Sequence, residues 1–176
     1  MLIVLFLALG IILIVFQTTL LPFLPEVLGR PDFVFLLVAF VAYRFAWLPG
    51  IIVTFVCSWV FEVITRVFLG VYPLQCLLVF SCLKIVSANL PFKESVYQIP
   101  LVGIGYFLMH VFAYFGASLI NPDAQPDWSL FTLVRETLLL VVVAIPVFMV
   151  FNRIYEYGQL RIVRPKATTK KPLRRR

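Results

Sequence analysis

Six apolar runs, at residues 1–21, 33–48, 50–65, 73–90, 98–120 and 129–151, occupy nearly all of the first 151 positions, with Pro, Gly and polar residues between them. One bilayer crossing takes roughly 20 apolar residues as a helix. The pattern predicts an all-α, polytopic helical bundle of about six transmembrane helices over residues 1–151, followed by a basic tail over 152–176. A water-soluble domain is excluded by composition. The chain of 176 residues is 62% hydrophobic and 13% charged, whereas soluble domains are nearer half apolar and a quarter charged.

The second run is the shortest. From Asp32 to Arg44 it covers only about 18 Å at 1.5 Å per residue, and reaching Leu48 requires Arg44 to snorkel or to face protein. Pro22, Pro25 and Gly29 break the first run. Pro31 precedes an expected N-cap at Asp32, Pro49-Gly50 is expected to separate runs two and three, and Pro73 suits a helix start. In the polar loop 121–127, Asp127, or Ser129 just beyond it, is available to cap the last helix. The opening stretch Met1–Phe16 has no basic flank and no small-residue cleavage site, and reads as a retained first span.

Charge is concentrated at one end. Residues 152–176 carry nine Lys or Arg against the single acid Glu156. That makes +8 against +7 for the whole chain, so residues 1–151 carry a net −1. With six spans and the N-terminus inside, Arg44, Lys84, Lys93 and the nine tail residues fall on the cytoplasmic side, leaving Arg30, Arg66 and Arg135 outside. A five-span arrangement, in which run two only dips into the bilayer, keeps the tail inside and accounts for that run's shortness. The tail, with Lys170, Lys171, Arg174, Arg175 and Arg176, reads as a topology signal and as a contact for anionic lipid headgroups. Neither a folded module nor interleaved aromatics accompany it, so nucleic acid is not an expected partner.

Ionisable residues within spans are costly and are usually paired or face protein. Glu62 and Arg66 stand at i and i+4 with the acid first, the favourable order for a pair on one helix face. Arg135 and Glu136 are adjacent, about 100° apart around a helix, so one of them is expected to seek a partner elsewhere. These four are expected at one depth, as an ion-pair cluster holding runs three and six together or as the floor of an outward-facing docking or ligand surface. Cys57, Cys76 and Cys82 lie in apolar runs without metal-ligand spacing, and the single His110 is far from them. No metal site and no cofactor is expected. Asp123 and Asp127 are too few ligands for a hard cation, and neither a Ser-His-Asp set, a phosphate loop nor an H-E-x-x-H motif is present.

Two resemblances bear on function. Glu62-Val-Ile-Thr-Arg66 with Tyr106–His110 is distantly similar to the glutamic intramembrane proteases of the abortive-infection family. That family uses a doubled Glu and further His or Asn/Asp positions, whereas Phe61 precedes Glu62 here and there is no second His.

The second resemblance covers most of the membrane block. Gln17-Thr-Thr-Leu-Leu-Pro22 after the first span, Gly29-Arg30-Pro31-Asp32 opening the second, Glu62 in the third and Leu69-Gly70-Val71-Tyr72 heading the fourth resemble the rod shape-determining protein MreD family. Members usually carry Asp where this chain has Glu62. The resemblance implies a non-enzymatic, multi-pass subunit of the bacterial inner membrane. It implies a fold similar to the substrate-binding components of energy-coupling-factor transporters, and docking of the bitopic scaffold MreC. Through that scaffold it implies links to RodA, its transpeptidase partner, MreB filaments, peptidoglycan synthesis and cell shape. On this reading Pro31 and Asp32 shape the outer surface, with Glu62, Arg66, Arg135 and Glu136 as a partner-binding or structural polar cluster. Gly103 and Gly105 offer a point of close helix approach. The rival class is a solute-binding membrane transporter subunit, whose mark would be a polar-lined cavity. Against it, the helices contribute few polar side chains, and the first span offers only Ala8 and Gly10 where vitamin-binding components carry an alanine-spaced motif.

Overall fold

The computed structural model describes residues 2–20, 23, 31–65, 70–89, 95–120 and 130–163. They form six helices and no strand: α1 Leu2–Leu20, α2 Phe33–Arg44, α3 Trp47–Thr65, α4 Val71–Asn89, α5 Ser95–Ile120 and α6 Leu130–Val163. Four of them, α1, α3, α4 and α6, are long and apolar enough to cross a bilayer, as in a membrane protein. Both α2 and the described apolar part of α5, Ile99–Tyr114, are shorter.

The short helix is the centre of the molecule. All nine residues from Val34 to Ala42 are buried, and α2 touches each of the other five helices. A helix surrounded by protein has no lipid to match, so its length is set by where its ends are satisfied. Its C-terminal boundary corrects the expected one. Run two stops at Arg44, because Phe45 is extended (φ −95°, ψ 155°) while its N–H still bonds to Val41 O at 2.9 Å. The break thus falls at Phe45-Ala46. Pro49 sits in the first turn of α3, where its missing N–H removes no helical bond.

Ring packing welds one end of this core. Phe6 on α1 stacks on Phe40 of α2 at 5.7 Å and meets Phe45 edge-on at 4.9 Å, and Phe40 meets Phe151 of α6 at 5.4 Å. Between lipid-embedded helices the solvent-driven hydrophobic effect is weak, so close van der Waals contact of large rings carries association. Close backbone approach is used sparingly. A Cβ on Gly10 would collide with Cys57 Sγ, which lets α1 lie against α3, and one on Gly103 would meet Val141 of α6. Gly105 has only ordinary contacts toward Val79, Leu83 and Phe35, so Gly103 alone of that pair makes the expected close approach.

The last helix passes the expected end of the membrane block. The boundary at 151/152 falls inside α6, which continues to Val163 and spans about 51 Å over its 34 residues. Arg153, Glu156 and Gln159 lie within its apolar stretch, which runs from Leu130 to Gln159. The loop with Asp123 and Asp127, together with Arg30, Arg66, Lys93 and the tail residues Lys170, Lys171, Arg174, Arg175 and Arg176, lies outside the described residues.

Candidate functional site

The polar residues gather at the end of the bundle where α2 and α4 begin. A buried helix start leaves its first N–H groups without partners, and here each one is met. Asp32, the N-cap of α2, accepts from Phe35 N through Oδ1 at 3.1 Å. Gln17, near the end of α1, accepts from Phe33 N at 3.0 Å and Val34 N at 3.3 Å through Oε1. Its Nε2 donates to Asp32 Oδ1 at 3.3 Å. Leu36 N bonds to the Asp32 carbonyl at 3.2 Å. Side chains of α1 and of the cap residue therefore complete the first turn of α2, which is why α2 can begin inside protein.

The start of α4 is held in the same manner by a different helix. Glu62, in the last two turns of α3 and only 1% exposed, accepts from Gly70 N through Oε2 at 2.7 Å and from Tyr72 N through Oε1 at 3.1 Å. A carboxylate at a helix N-terminus satisfies orphan donors and meets the positive end of the helix dipole. Gly70 supplies the turn that aims both N–H groups at one carboxylate, with φ +96° in the region that favours glycine. Tyr72 then closes the circuit, its hydroxyl donating to Asp32 Oδ2 at 2.6 Å. Gln17, Asp32, Tyr72, Gly70 and Glu62 are one hydrogen-bonded chain running through α1, α2, α4 and α3.

Beside this chain lies an open cavity of about 300 Å3, lined by Gln17, Asp32, Tyr72 and Gln75 and, across from them, by Tyr106, His110 and Glu136 with Met109 and Ala113. His110 Nδ1 lies 3.2 Å from the carbonyl of Tyr106, and the two rings pack at 4.3 Å. Tyr106 in turn meets Phe35 edge-on at 5.2 Å. The described lining contains no Lys or Arg and no Ser, Thr or Cys.

The expected grouping of Glu62, Arg66, Arg135 and Glu136 is corrected by this arrangement. Among the described residues α3 and α6 make no contact, so Glu62 joins α3 to α4 while Glu136 of α6 stands at the cavity. Arg135 is half-buried with its Nε enclosed, and Arg66 lies outside the described residues. Pro31 precedes the cap as expected, and Asp32 is the cap. Five participants were not singled out for this site: Gln17, Tyr72, Gln75, Tyr106 and His110. The signal that could have found Gln17, Tyr72 and Gln75 is depth, since each stands near the helix end that an antiparallel alternation brings to the same side as Asp32, whereas Tyr106 and His110 stand midway along α5.

The opposite end resolves two basic residues. Lys84 of α4 donates from Nζ to Ala42 O at 3.0 Å and to Phe45 O, satisfying carbonyls at the C-terminus of α2. Arg44 is exposed, with Nη2 donating to Asn152 Oδ1 at 2.7 Å and its guanidinium 5.9 Å from the Tyr155 ring centroid. Neither a family model, nor a curated protein, nor a solved structure matches the chain.

Proposed function

We propose that the chain is a non-enzymatic subunit of the bacterial cell-elongation complex. It crosses the inner membrane six times with its C-terminus in the cytoplasm, and docks the MreC-type bitopic scaffold that links peptidoglycan synthesis to cell shape. The observation that supports the reading is the single hydrogen-bonded chain Gln17–Asp32–Tyr72–Glu62–Gly70. The segments that carry the resemblance are separated by up to 55 positions, and their polar residues act together to hold three helix ends in register. Their polar groups are used in positioning helices, which suits a rigid docking surface. The exposed apolar residues of α3, Ile51, Phe55, Trp59 and Val63, stand at intervals of four and form one stripe on which a partner helix can pack.

Affinity purification from the native host in mild detergent, with mass spectrometry of proteins and small molecules, tests it. Recovery of the elongation scaffold, reduced in Glu62→Ala and in Phe55→Ala/Trp59→Ala, is the expected result. Normal scaffold recovery from Glu62→Ala overturns the role given to the polar chain, and absence of the scaffold from the wild type overturns the docking reading.

One observation favours a second reading, a solute-binding transporter subunit. The helices do contribute a polar-lined cavity, beside Asp32 and Glu136. A stoichiometric metabolite recovered without the scaffold supports that reading.

A further inference from the structure

The cavity at the Asp32 end has a definite chemical demand, which follows from which of its groups are already used. Gln17 Nε2 and the Tyr72 hydroxyl both donate to Asp32. His110 Nδ1 lies 3.2 Å from the Tyr106 carbonyl, which can only accept, so a hydrogen bond there has Nδ1 as its donor. Among the described residues the Glu136 carboxylate makes no hydrogen bond or ion pair, although it borders the cavity half-buried between helices. What remains unspent is therefore the Glu136 carboxylate. The Glu136 carboxylate, with Asp32 and His110 beside it, borders a space walled by the rings of Tyr72 and Tyr106, with no basic residue in the described lining. A carboxylate in such a place is costly without a cation beside it.

The cation that fits is organic. Among the described residues no three His, Cys, Asp or Glu side chains converge on a metal position, although Asp32, His110 and Glu136 share the cavity. A space of about 300 Å3 with aromatic walls and carboxylates is instead the environment in which ammonium groups are held, by charge, N–H donation and the faces of the rings. We propose that this cavity binds an ammonium group, with Glu136 as its counter-ion and Tyr106 as its ring wall.

That group has two sources, a free amine or the headgroup of an amino-phospholipid, and the structure provides for the second. Gln75 and Met109 line both the cavity and an apolar groove of about 240 Å3 between α4 and α5, walled by Leu78, Leu83, Ile104 and Phe112. A hydrocarbon chain in that groove would bring its headgroup to Glu136. The inference rests on the cavity and stands independently of scaffold docking, because the test contains no partner protein.

The full chain is purified, stripped of lipid, and exposed to equimolar phosphatidylethanolamine and phosphatidylglycerol in nanodiscs, with retained lipid read by native mass spectrometry. In a parallel arm, free ethanolamine is titrated into detergent-solubilised protein by calorimetry. The expected result is a preference of about tenfold for the ethanolamine lipid, lost in Glu136→Gln while helicity and melting temperature stay at wild-type values. Tyr106→Leu is expected to weaken retention in the same direction. Binding of free ethanolamine with the same dependence on Glu136 supports the site with a soluble amine as its ligand. Equal retention of the two lipids together with no ethanolamine binding overturns the proposal, as does a preference that Glu136→Gln leaves unchanged.

Discussion

The hydroxyl of Tyr72 donates to the carboxylate of Asp32 at 2.6 Å across 40 positions of chain, tying the start of α4 to the cap of α2. It is the only strut in the described network that joins the two capped helix starts directly. Tyr72→Phe removes it while keeping the ring against Phe61, at 4.9 Å. Hydrogen bonds between membrane helices are worth about 0.6 kcal/mol on average and about 1.7 at most. A loss near 1 kcal/mol is expected by reversible unfolding in bicelles. A double-mutant cycle of Tyr72→Phe with Asp32→Asn is expected to give coupling of the same size, and additive losses would show that the bond carries no energy.

Glu62 is a larger element, because one carboxylate serves two part-buried N–H groups. Glu62→Ala strands both, at about 1–3 kcal/mol each, so a loss of about 2–6 kcal/mol is expected. Glu62→Gln keeps one acceptor oxygen and is expected to lose about half of that. Equal losses in the two variants, measured by the same unfolding assay, would contradict the paired-acceptor role.

Lys84 satisfies the carbonyl end of the same central helix. Lys84→Met preserves most of the stem and removes the donors, and is expected to destabilise the bundle by about 1–2 kcal/mol. Lys84→Ala adds lost packing of the stem and is expected to cost more. Amide hydrogen exchange localises the effect, with faster exchange expected in the last turn of α2 and little change around Asp32.

Gly10→Ala places a methyl group into Cys57 Sγ and close to Leu37. Overpacking of this kind costs about 1–3 kcal/mol. Cys57→Ala frees the space, so the double variant is expected to recover part of the loss, and the two substitutions are expected to be non-additive. Strict additivity in thermal melts would show that α1 and α3 do not meet at these residues.

Much of this architecture is legible in the residues themselves. The six apolar runs correspond to the six helices, and Pro31-Asp32 marks the start of α2, because bilayer thickness, backbone satisfaction and capping act locally. The end of α2 was misjudged by four residues. Pro49 looks like a breaker from within the chain, but it is tolerated in the first turn of α3, and the true stop is made by Phe45 turning extended where Lys84 collects the last carbonyls. That stop depends on a residue 39 positions away. The contact expected between runs three and six is absent among the described residues for the same reason, because depth along a helix says nothing about which helix lies next to it.

By itself, then, the sequence determined the membrane-embedded character, the number and rough extent of the helices, the basic tail and the Asp32 cap. Each follows from apolar run length or from groups a few residues apart. The tertiary structure decided that α2 is the buried centre, that Glu62 caps α4, and that Gln17, Asp32, Tyr72, Tyr106, His110 and Glu136 line one cavity. Those outcomes depend on the rotation and neighbours of each helix. Between apolar helices, rotation and neighbours are chosen by ring packing and by the few polar groups that must find partners, and both are settled only when all the helices are assembled together.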